Sequence, residues 1–374
     1  MKFKFDQIAI NSTAKKKPVP EDAAHYIGLE HLEPGTFEIA NWGSDVAPVG
    51  EKLLMKKGDV LFGRRRAYQR KVGIAPFDGI FSAHGMVLRP KTEVVDARYF
   101  PFFISSDQFM NEAVRISVGS LSPTINWSTL KNCEFDLPPL DEQRKLADLL
   151  WAANDLKEKY KKAIAATDEM LKAKFREMFR EEESSGSGYR IDTLSNLLVI
   201  ERGGSPRPIS KFITDDPGGI NWIKIGDVSV GDKYITKTAE KIIPEGERKS
   251  RRVYPGDFLL SNSMSFGRPY ILKIEGCIHD GWLVLRDEKG HFDKMFLYYL
   301  LQSDDARRFF ESMASGSTVK NLNKELVGAL RVCVPPLDLQ RQFVEIAAQE
   351  EKVKANLKKS IADVDNIIKG LING

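Results

Sequence analysis

Two stretches decide how this chain is read: DLPPLDEQRKLADLL (Asp136–Leu150) and VCVPPLDLQRQFVEIA (Val332–Ala347). Each writes Pro-Pro-Leu-Asp-x-Gln-Arg ahead of a run with apolar residues at helical spacing. A proline pair cannot lie inside a helix, because it lacks N–H donors and clashes with the preceding turn. Asp141 and Asp338 suit the first turn of a helix, for capping and for the helix dipole. The motif therefore marks a place where a helix begins. Gln143 and Arg144 fall in its first turns; in the second copy Arg341 matches Arg144, and Gln342 follows it where Gln143 precedes Arg144.

Working outward, the duplication extends well beyond the motif. Pro138 and Pro335 differ by 197, as do Val87-Leu88-Arg89 and Val284-Leu285-Arg286, Ser106-Asp107 and Ser303-Asp304, and Gly119-Ser120 and Gly316-Ser317. Upstream the offset drifts: Gly58-Asp59 matches Gly256-Asp257 at 198, and YIGLEHLEPG (26–35) resembles WIKIGDVSVG (222–231) at 196. Surface-loop insertions produce such drift. The unit, roughly 190 residues, far exceeds the 20–50 of a solenoid repeat. The chain reads as a tandem pair of domains, each with an appended helix.

The front of each unit carries short β-rich runs broken by turn residues, as in KVGIAPFDGIFSAHGMVLRP (71–90) and RPYILKIEGCIHDGWLVLRD (268–287), which predicts an antiparallel or mixed β-core. DARYFPFFISSDQFMNEAVR (96–115) and FDKMFLYYLLQSDDARRFFESM (292–313) predict one or two helices packed on it. The fold class is α+β. Behind each motif the apolar positions form a heptad-type seam. In the first copy it comprises Leu146, Leu149, Ala153, Leu156, Tyr160, Ala163 or Ile164, Leu171, Phe175 and Met178. In the second it comprises Phe343, Ile346, Val353, Leu357, Ile361, Val364, Ile368 and Leu371, with Glu350 a polar interruption. A one-striped helix of about 60 Å needs a partner, and the obvious partner is its repeat, paired antiparallel. The bland alternative folds each helix back on its own domain. The first helix is expected to end near Arg180, before a flexible linker EEESSGSG (181–188). The expected boundaries are 1–139, a first domain; 140–183, a first helix; 184–336, a second domain; and 337–374, a second helix.

Composition bounds the function. With 42% hydrophobic and 29% charged residues the chain is ordinary for a globular protein. No apolar run approaches the roughly 18 residues of a membrane span, and MKFKFDQIAINS has no apolar signal core, so a cytoplasmic protein is expected. Cys133, Cys277 and Cys333 are far apart and read as buried thiols. The five histidines show no metal-ligand spacing. GDVSVGDK (226–233) has phosphate-loop glycines but places Asp232 where Lys is needed. No nucleophile elbow, amino-methyltransferase tetrapeptide or nuclease constellation appears, so no catalytic residue is assigned.

Basic clusters say more. GRRRAYQRK (63–71) packs Arg64, Arg65, Arg66, Arg70 and Lys71 around Tyr68, and ERKSRR (247–252) packs Arg248, Lys249, Arg251 and Arg252. Each lies beside the Gly-Asp landmark of its unit. Clustered arginines suit phosphate contact and bidentate reading of guanine edges; the bland alternative is a solvated basic surface. Ser263, Arg268 and Lys320 complete the expected DNA-contacting set.

With these residues in view, the chain resembles the specificity subunits of type I restriction–modification systems. The resemblance rests on PPLDEQR (138–144) and PPLDLQR (335–341), on GDVLFGRR (58–65) and GDFLLSNS (256–263), on GINWIKIGDV (219–228), and on GSLSPTINWSTL (119–130) and GSTVKNLNKEL (316–326). AHYIGLEHL (24–32) departs from the pattern by lacking the tryptophan. The resemblance implies a non-catalytic DNA-reading subunit with two target-recognition domains. Each would read half of a bipartite, asymmetric site on double-stranded DNA, with paired helices setting the spacer. It further implies two methyltransferase subunits that use S-adenosylmethionine, motor–nuclease subunits that can join them, no cofactor or metal on this chain, and no membrane partner. The competing expectations are a two-module scaffold that binds protein, an enzyme with an unrecognised site, and a specificity-like decoy or swap cassette.

Overall fold

The two repeated landmarks, Gly-Asp and Val-Leu-Arg, are the two halves of one ion pair. In the computed structural model, which describes residues 1–46, 48–179, 189–229, 231–262, 267–314 and 322–373, Arg89 forks onto Asp59 at 2.7 and 2.8 Å, and Arg286 onto Asp257 at 3.0 and 2.8 Å. Each aspartate also accepts a backbone N–H from the turn before it, Lys56 or Tyr254. Gly58 and Gly256 close those turns at φ +90° and +97°, a region that disfavours any Cβ. The pair holds two neighbouring strands in register, Val60–Phe62 against Met86–Pro90 and Phe258–Ser261 against Trp282–Arg286.

The chain divides into two compact units, Met1–Ile164 with Asn356–Gly374, and Ala165–Ala355. Unit 1 has a four-stranded antiparallel sheet in the order Ala9–Ser12, Met86–Pro90, Val60–Phe62, Val72–Ile74. A second four-stranded sheet runs Lys15–Lys16, Lys52–Met55, Gly79–Phe81, Tyr26–Ile27, its last pair parallel. Unit 2 repeats the first order with Val199–Arg202, Trp282–Arg286, Phe258–Ser261 and Pro269–Leu272, and adds Tyr234–Ile235 at the edge. Its other sheet contains Arg251–Val253, Gly276–Ile278 and Ile220–Ile223 in the same relative order and sense as their unit 1 counterparts. The segments before each motif form two helices apiece: Phe100–Ser105 and Asp107–Arg115, then Lys294–Gln302 and Asp304–Ala314. The fold is α+β, a tandem duplication.

The long helices run Leu140–Phe179 and Leu337–Asn373. Asp141 and Asp338 lie one residue inside them rather than capping them. They act through the dipole and through i,i+3 pairs with Arg144 at 2.9 Å and Arg341 at 3.5 Å. The glutamine assignment is also corrected. Gln340, not Gln342, is the counterpart of Gln143; both are buried, at 0% and 1% exposure, whereas Gln342 faces solvent. The Gln143 amide donates to the Val94 and Pro138 carbonyls and accepts from the Asp96 N–H. Gln340 does the same with His291, Pro335 and Asp293. Asp96 and Asp293 in turn accept backbone N–H groups at the start of the next helical segment.

In unit 2 the end of the first long helix runs antiparallel to the start of the second. Phe175 and Phe179 pack on Phe343 at 5.2 and 5.7 Å, while Asp168 pairs with Lys354. In unit 1 Leu146, Leu150 and Trp151 share a core with Ile368, Leu371 and Ile372, and Lys157 pairs with Asp365. Leu171, Phe343 and Val364 are buried, and Leu146, Tyr160, Ile164, Ile346, Leu357, Ile361 and Ile368 are half-buried. Leu149, Leu156 and Val353 are corrections: they are 56%, 40% and 46% exposed. The buried stripe passes one residue later, through Leu150, Lys157 and the half-buried Lys354. Arg180, the expected first-helix end, and the EEESSGSG linker lie outside the described residues. Cys277 is a buried free thiol, Cys333 is buried, and Cys133 is only half-buried.

Replacing Gln143 with Ala strands two carbonyls and one N–H in a dry site. We expect a loss of about 2–3 kcal/mol from the unit 1 unfolding transition, against no more than about 0.5 for Arg144→Ala, read by urea denaturation. Gln340→Ala should do the same to unit 2.

Candidate nucleic-acid interface

In unit 1 the chain between Val60–Phe62 and Val72–Ile74 forms a nine-residue loop, Gly63–Lys71. A single 3-10 turn, Ala67–Gln69, sits in it between Arg66 and Arg70, at φ +57° and +52°. Left-handed backbone at a residue with a Cβ costs about 1–2 kcal/mol, so surrounding contacts must hold this shape. They are found in the loop that precedes the first Pro-Pro. Arg65 bridges to Thr124, the Arg66 N–H donates to the Pro123 carbonyl at 2.7 Å, and the Ile125 N–H donates to the Arg64 carbonyl. The Arg65 and Arg66 guanidinium groups both donate to the Ser122 hydroxyl at 3.2 Å. Arg65 also approaches the His84 Nε2 at 3.5 Å, and Arg64 donates to the Ala83 carbonyl. Burial, then the Arg65 and Arg64 charges, pushes the His84 pKa down, so its ring is neutral at pH 7. Arg66 and Tyr68 are exposed.

Three of the expected contacts, Arg64, Arg65 and Arg66, thus converge with Tyr68 beside them. Arg70 and Lys71 do not join that group. Arg70 is held by Asp107 at 2.6 Å and the Ser105 carbonyl, and Lys71 by the Leu29 carbonyl at 2.7 Å. Both brace the loop from within unit 1.

The ERKSRR cluster sits elsewhere in its unit. Arg251–Val253 occupies the sheet position that Lys52–Met55 holds in unit 1. Arg251 is paired with Glu201 at 3.1 Å, and Arg252 with Glu247 and Glu275 at 3.4 and 3.3 Å. Lys249 lies over the Phe212 ring, and Arg248 is exposed. Two of these four cations are therefore engaged by carboxylates, Glu201 and Glu275 from outside the motif and Glu247 from within it. The counterpart of the Gly63–Lys71 loop is the segment between Phe258–Ser261 and Pro269–Leu272, of which 263–266 lie outside the described residues. Arg268 is exposed on it; Ser263 and Lys320 lie outside the described residues.

Sequence reasoning missed what surrounds that position. Asp280, in the turn before Trp282–Arg286, accepts the Ser205 hydroxyl at 2.8 Å and faces Arg207 at 3.4 Å. Its backbone carbonyl accepts from Asn262 and Arg202. Burial pushes its carboxyl up, but the Ser205 and His279 hydrogen bonds outweigh that, so it titrates lower than a free aspartate. The signal was RGGSPRP (202–208), where a Cβ on Gly203 would meet the His279 carbonyl oxygen at 2.1 Å. Only glycine lets that backbone approach so closely. The equivalent corner of unit 1 presents a guanidinium cluster with a neutral imidazole. Unit 2 presents a carboxylate with flanking arginines. Guanidinium forks match phosphates and guanine edges, whereas a carboxylate accepts from the cytosine amine. Among the described residues no group of three His, Cys, Asp or Glu could hold a metal ion, and no helix is long and apolar enough to cross a membrane.

Replacing Arg66 with Ala should lower the slope of log affinity against log salt for duplex DNA by about one. Arg251→Ala should leave that slope unchanged and lower thermal stability instead. Filter binding at graded salt, with melting curves, checks both.

Comparison with known proteins agrees with this geometry. Residues 15–166 and 190–364 match the family model for the type I restriction modification DNA specificity domain. The chain is 22% identical over 332 residues to the putative type I restriction enzyme MjaX specificity subunit of Methanocaldococcus jannaschii, covering 82% of this chain and 77% of that one. It is 23% identical over 186 residues to the EcoDI specificity subunit of Escherichia coli, covering 48% and 41%. Among solved structures, a chain reported with complex assembly and conformational transition of the type I R-M system superposes with TM-score 0.64 at 19% identity, covering 100% of this chain and 96% of that one. The type I S subunit from M. genitalium gives 0.52 at 14%, covering 100% and 94%. This chain belongs to the type I restriction modification DNA specificity family, as a specificity subunit with two tandem recognition domains.

Proposed function

We propose that each recognition domain, 1–139 and 184–336, reads one half of a bipartite asymmetric sequence on double-stranded DNA. The helices, 140–183 and 337–374, set the spacer and carry two methyltransferase subunits. One observation bears most of this reading. Two units with the same sheet order and the same Gly-Asp to Arg lock carry different chemistry at the same corner, Arg64, Arg65, Arg66 and His84 in one and Ser205, Arg207 and Asp280 in the other. A shared scaffold with unlike tips suits two unlike half-sites. S-adenosylmethionine belongs to the methyltransferase subunits, motor–nuclease subunits complete a restriction enzyme, and the assembly works in the cytoplasm. Leu149, Leu156 and Val353, apolar and exposed along the long helices, are the docking strip for the methyltransferases.

The helix Leu140–Phe179, at about 1.5 Å per residue, spans about 60 Å, or at most about 18 base pairs. Exchanging residues 1–139 for those of a relative should change one half of the methylated sequence and leave the other intact, read by sequencing methylated DNA. Change in both halves, or neither, would refute the modular reading, and salt-insensitive DNA binding would favour the protein-binding scaffold. Inserting one heptad within 150–175 should alter the spacer and neither half-site.

A further inference from the structure

Two ion pairs between the long helices, each a lysine on the buried stripe and an aspartate about half exposed at its edge, are copies of one another. In unit 1 Lys157 donates to Asp365 at 2.5 Å and to the Gly35 carbonyl at 2.7 Å, and it is only 7% exposed. In unit 2 Lys354 donates to Asp168 at 2.6 Å. Lys157 and Lys354 stand at the offset of 197 that relates the repeats, and so do Asp168 and Asp365. The duplication has kept both partners, and each lysine finds the aspartate of the other helix.

We infer that these two pairs are the lock that fixes the orientation and register of the paired helices, and hence, on the reading above, the length of the DNA spacer. Alternative alignments carry the argument. A parallel pairing of the repeats would set Lys157 against Lys354 and Asp168 against Asp365, like charge against like charge twice. A one-heptad slip of the antiparallel pair in one direction would bring Lys157 to Lys358 and Lys354 to Lys161. A slip the other way would set the same lysines against Ile372 and Phe175 and the aspartates against Ile164 and Ile361. That would leave the buried Lys157 unpaired in the stripe, which costs far more than an exposed pair gains. The apolar residues on either side discriminate less sharply, since Leu, Ile, Val and Phe recur every third or fourth residue. Polar residues at seam positions specify register in coiled coils by the same logic. Lys157 and Lys354 are therefore positioning residues. They act on recognition through helix alignment and touch no base.

The test separates alignment from stability. Lys157→Asp should lower the melting temperature, and adding Asp365→Lys should restore it; failure of that rescue overturns the pairing. The fourfold variant K157L/D168L/K354L/D365L should still fold and melt cooperatively, because it leaves no lysine or aspartate of the two pairs without its partner. Its alignment should no longer be unique. Spin labels on bio-orthogonal side chains at the exposed positions 149 and 367 report this directly. The wild type should give one distance. The fourfold variant should give a second population, displaced by about 10 Å for a one-heptad slip. A single distance in that variant overturns the lock. The same variant with its methyltransferase should methylate DNA at more than one spacer length. Two label distances together with a single spacer would leave the lock standing and refute the ruler.

Discussion

Everything distal in each unit hangs on one buried amide. Gln143, and Gln340 in the second copy, ties three backbone groups together where the long helix leaves the recognition domain. The strand before the motif ends at Asp136 or Val334 and the helix begins at Leu140 or Leu337, so the carbonyl of Pro138 or Pro335 lies between the two ladders and takes its donor from a side chain. A glutamine one turn into the helix supplies it and spends its other amide hydrogen and its oxygen on the segment that opens the next helical pair. The joint is therefore buried and satisfied. A loose joint would let a recognition surface swing on its helix. A ruler works only if both of its ends are clamped.

The clamp is reinforced differently in the two copies. In unit 1 the Trp151 indole donates to the Arg98 carbonyl, Arg98 pairs with Asp148, and Glu158 accepts the Thr36 hydroxyl. In unit 2 Glu351 takes both Lys233 and the Tyr299 hydroxyl. Burial pushes Glu351 up, but those two partners outweigh it and hold the carboxyl ionised below its ordinary range, while burial and the same carboxylate push the Tyr299 phenol up. The position equivalent to Glu351 in the first helix is Asn154. The glutamine joint has been kept through the duplication, while the side contacts between helix and loop have been rebuilt.

How much of this was legible follows from the range of each interaction. The helix starts were readable because a proline pair acts locally. The duplication was readable because residues with one obligatory conformation or partner, Gly58, Asp59 and Arg89, recur in order. That Asp59 and Arg89 bind one another was not readable, since strand pairing brings them together across some thirty residues. The seam was read one residue early, at Leu149 and Leu156, because hydrophobicity alone favours leucine over lysine. Lys157 lies buried there because Asp365, some two hundred residues away, meets its charge. The same blindness misread ERKSRR. Charge density along the chain cannot show that Glu201 and Glu275 have already taken two of its arginines, nor that RGGSPRP supplies the polar corner instead.

The two kinds of arginine teach how such a scaffold can vary its target. Arg89 and Arg286 are fixed by bidentate carboxylates between neighbouring strands, and replacing them would disturb the sheets. Arg65 and Arg66 are held by a serine hydroxyl, by the His84 ring beside Arg65, and by backbone hydrogen bonds that any residue able to adopt the same turn could make. Their identity is free to change without cost to the core. The corner of unit 2, where Asp280, Ser205 and Arg207 interact chiefly with one another, has the same freedom. On the proposed function, recognition chemistry is thereby decoupled from folding: the strand ion pairs and the buried glutamines constrain the frame, the strained loop and the glycine-rich turn carry the tips, and a change in one need not be compensated in the other.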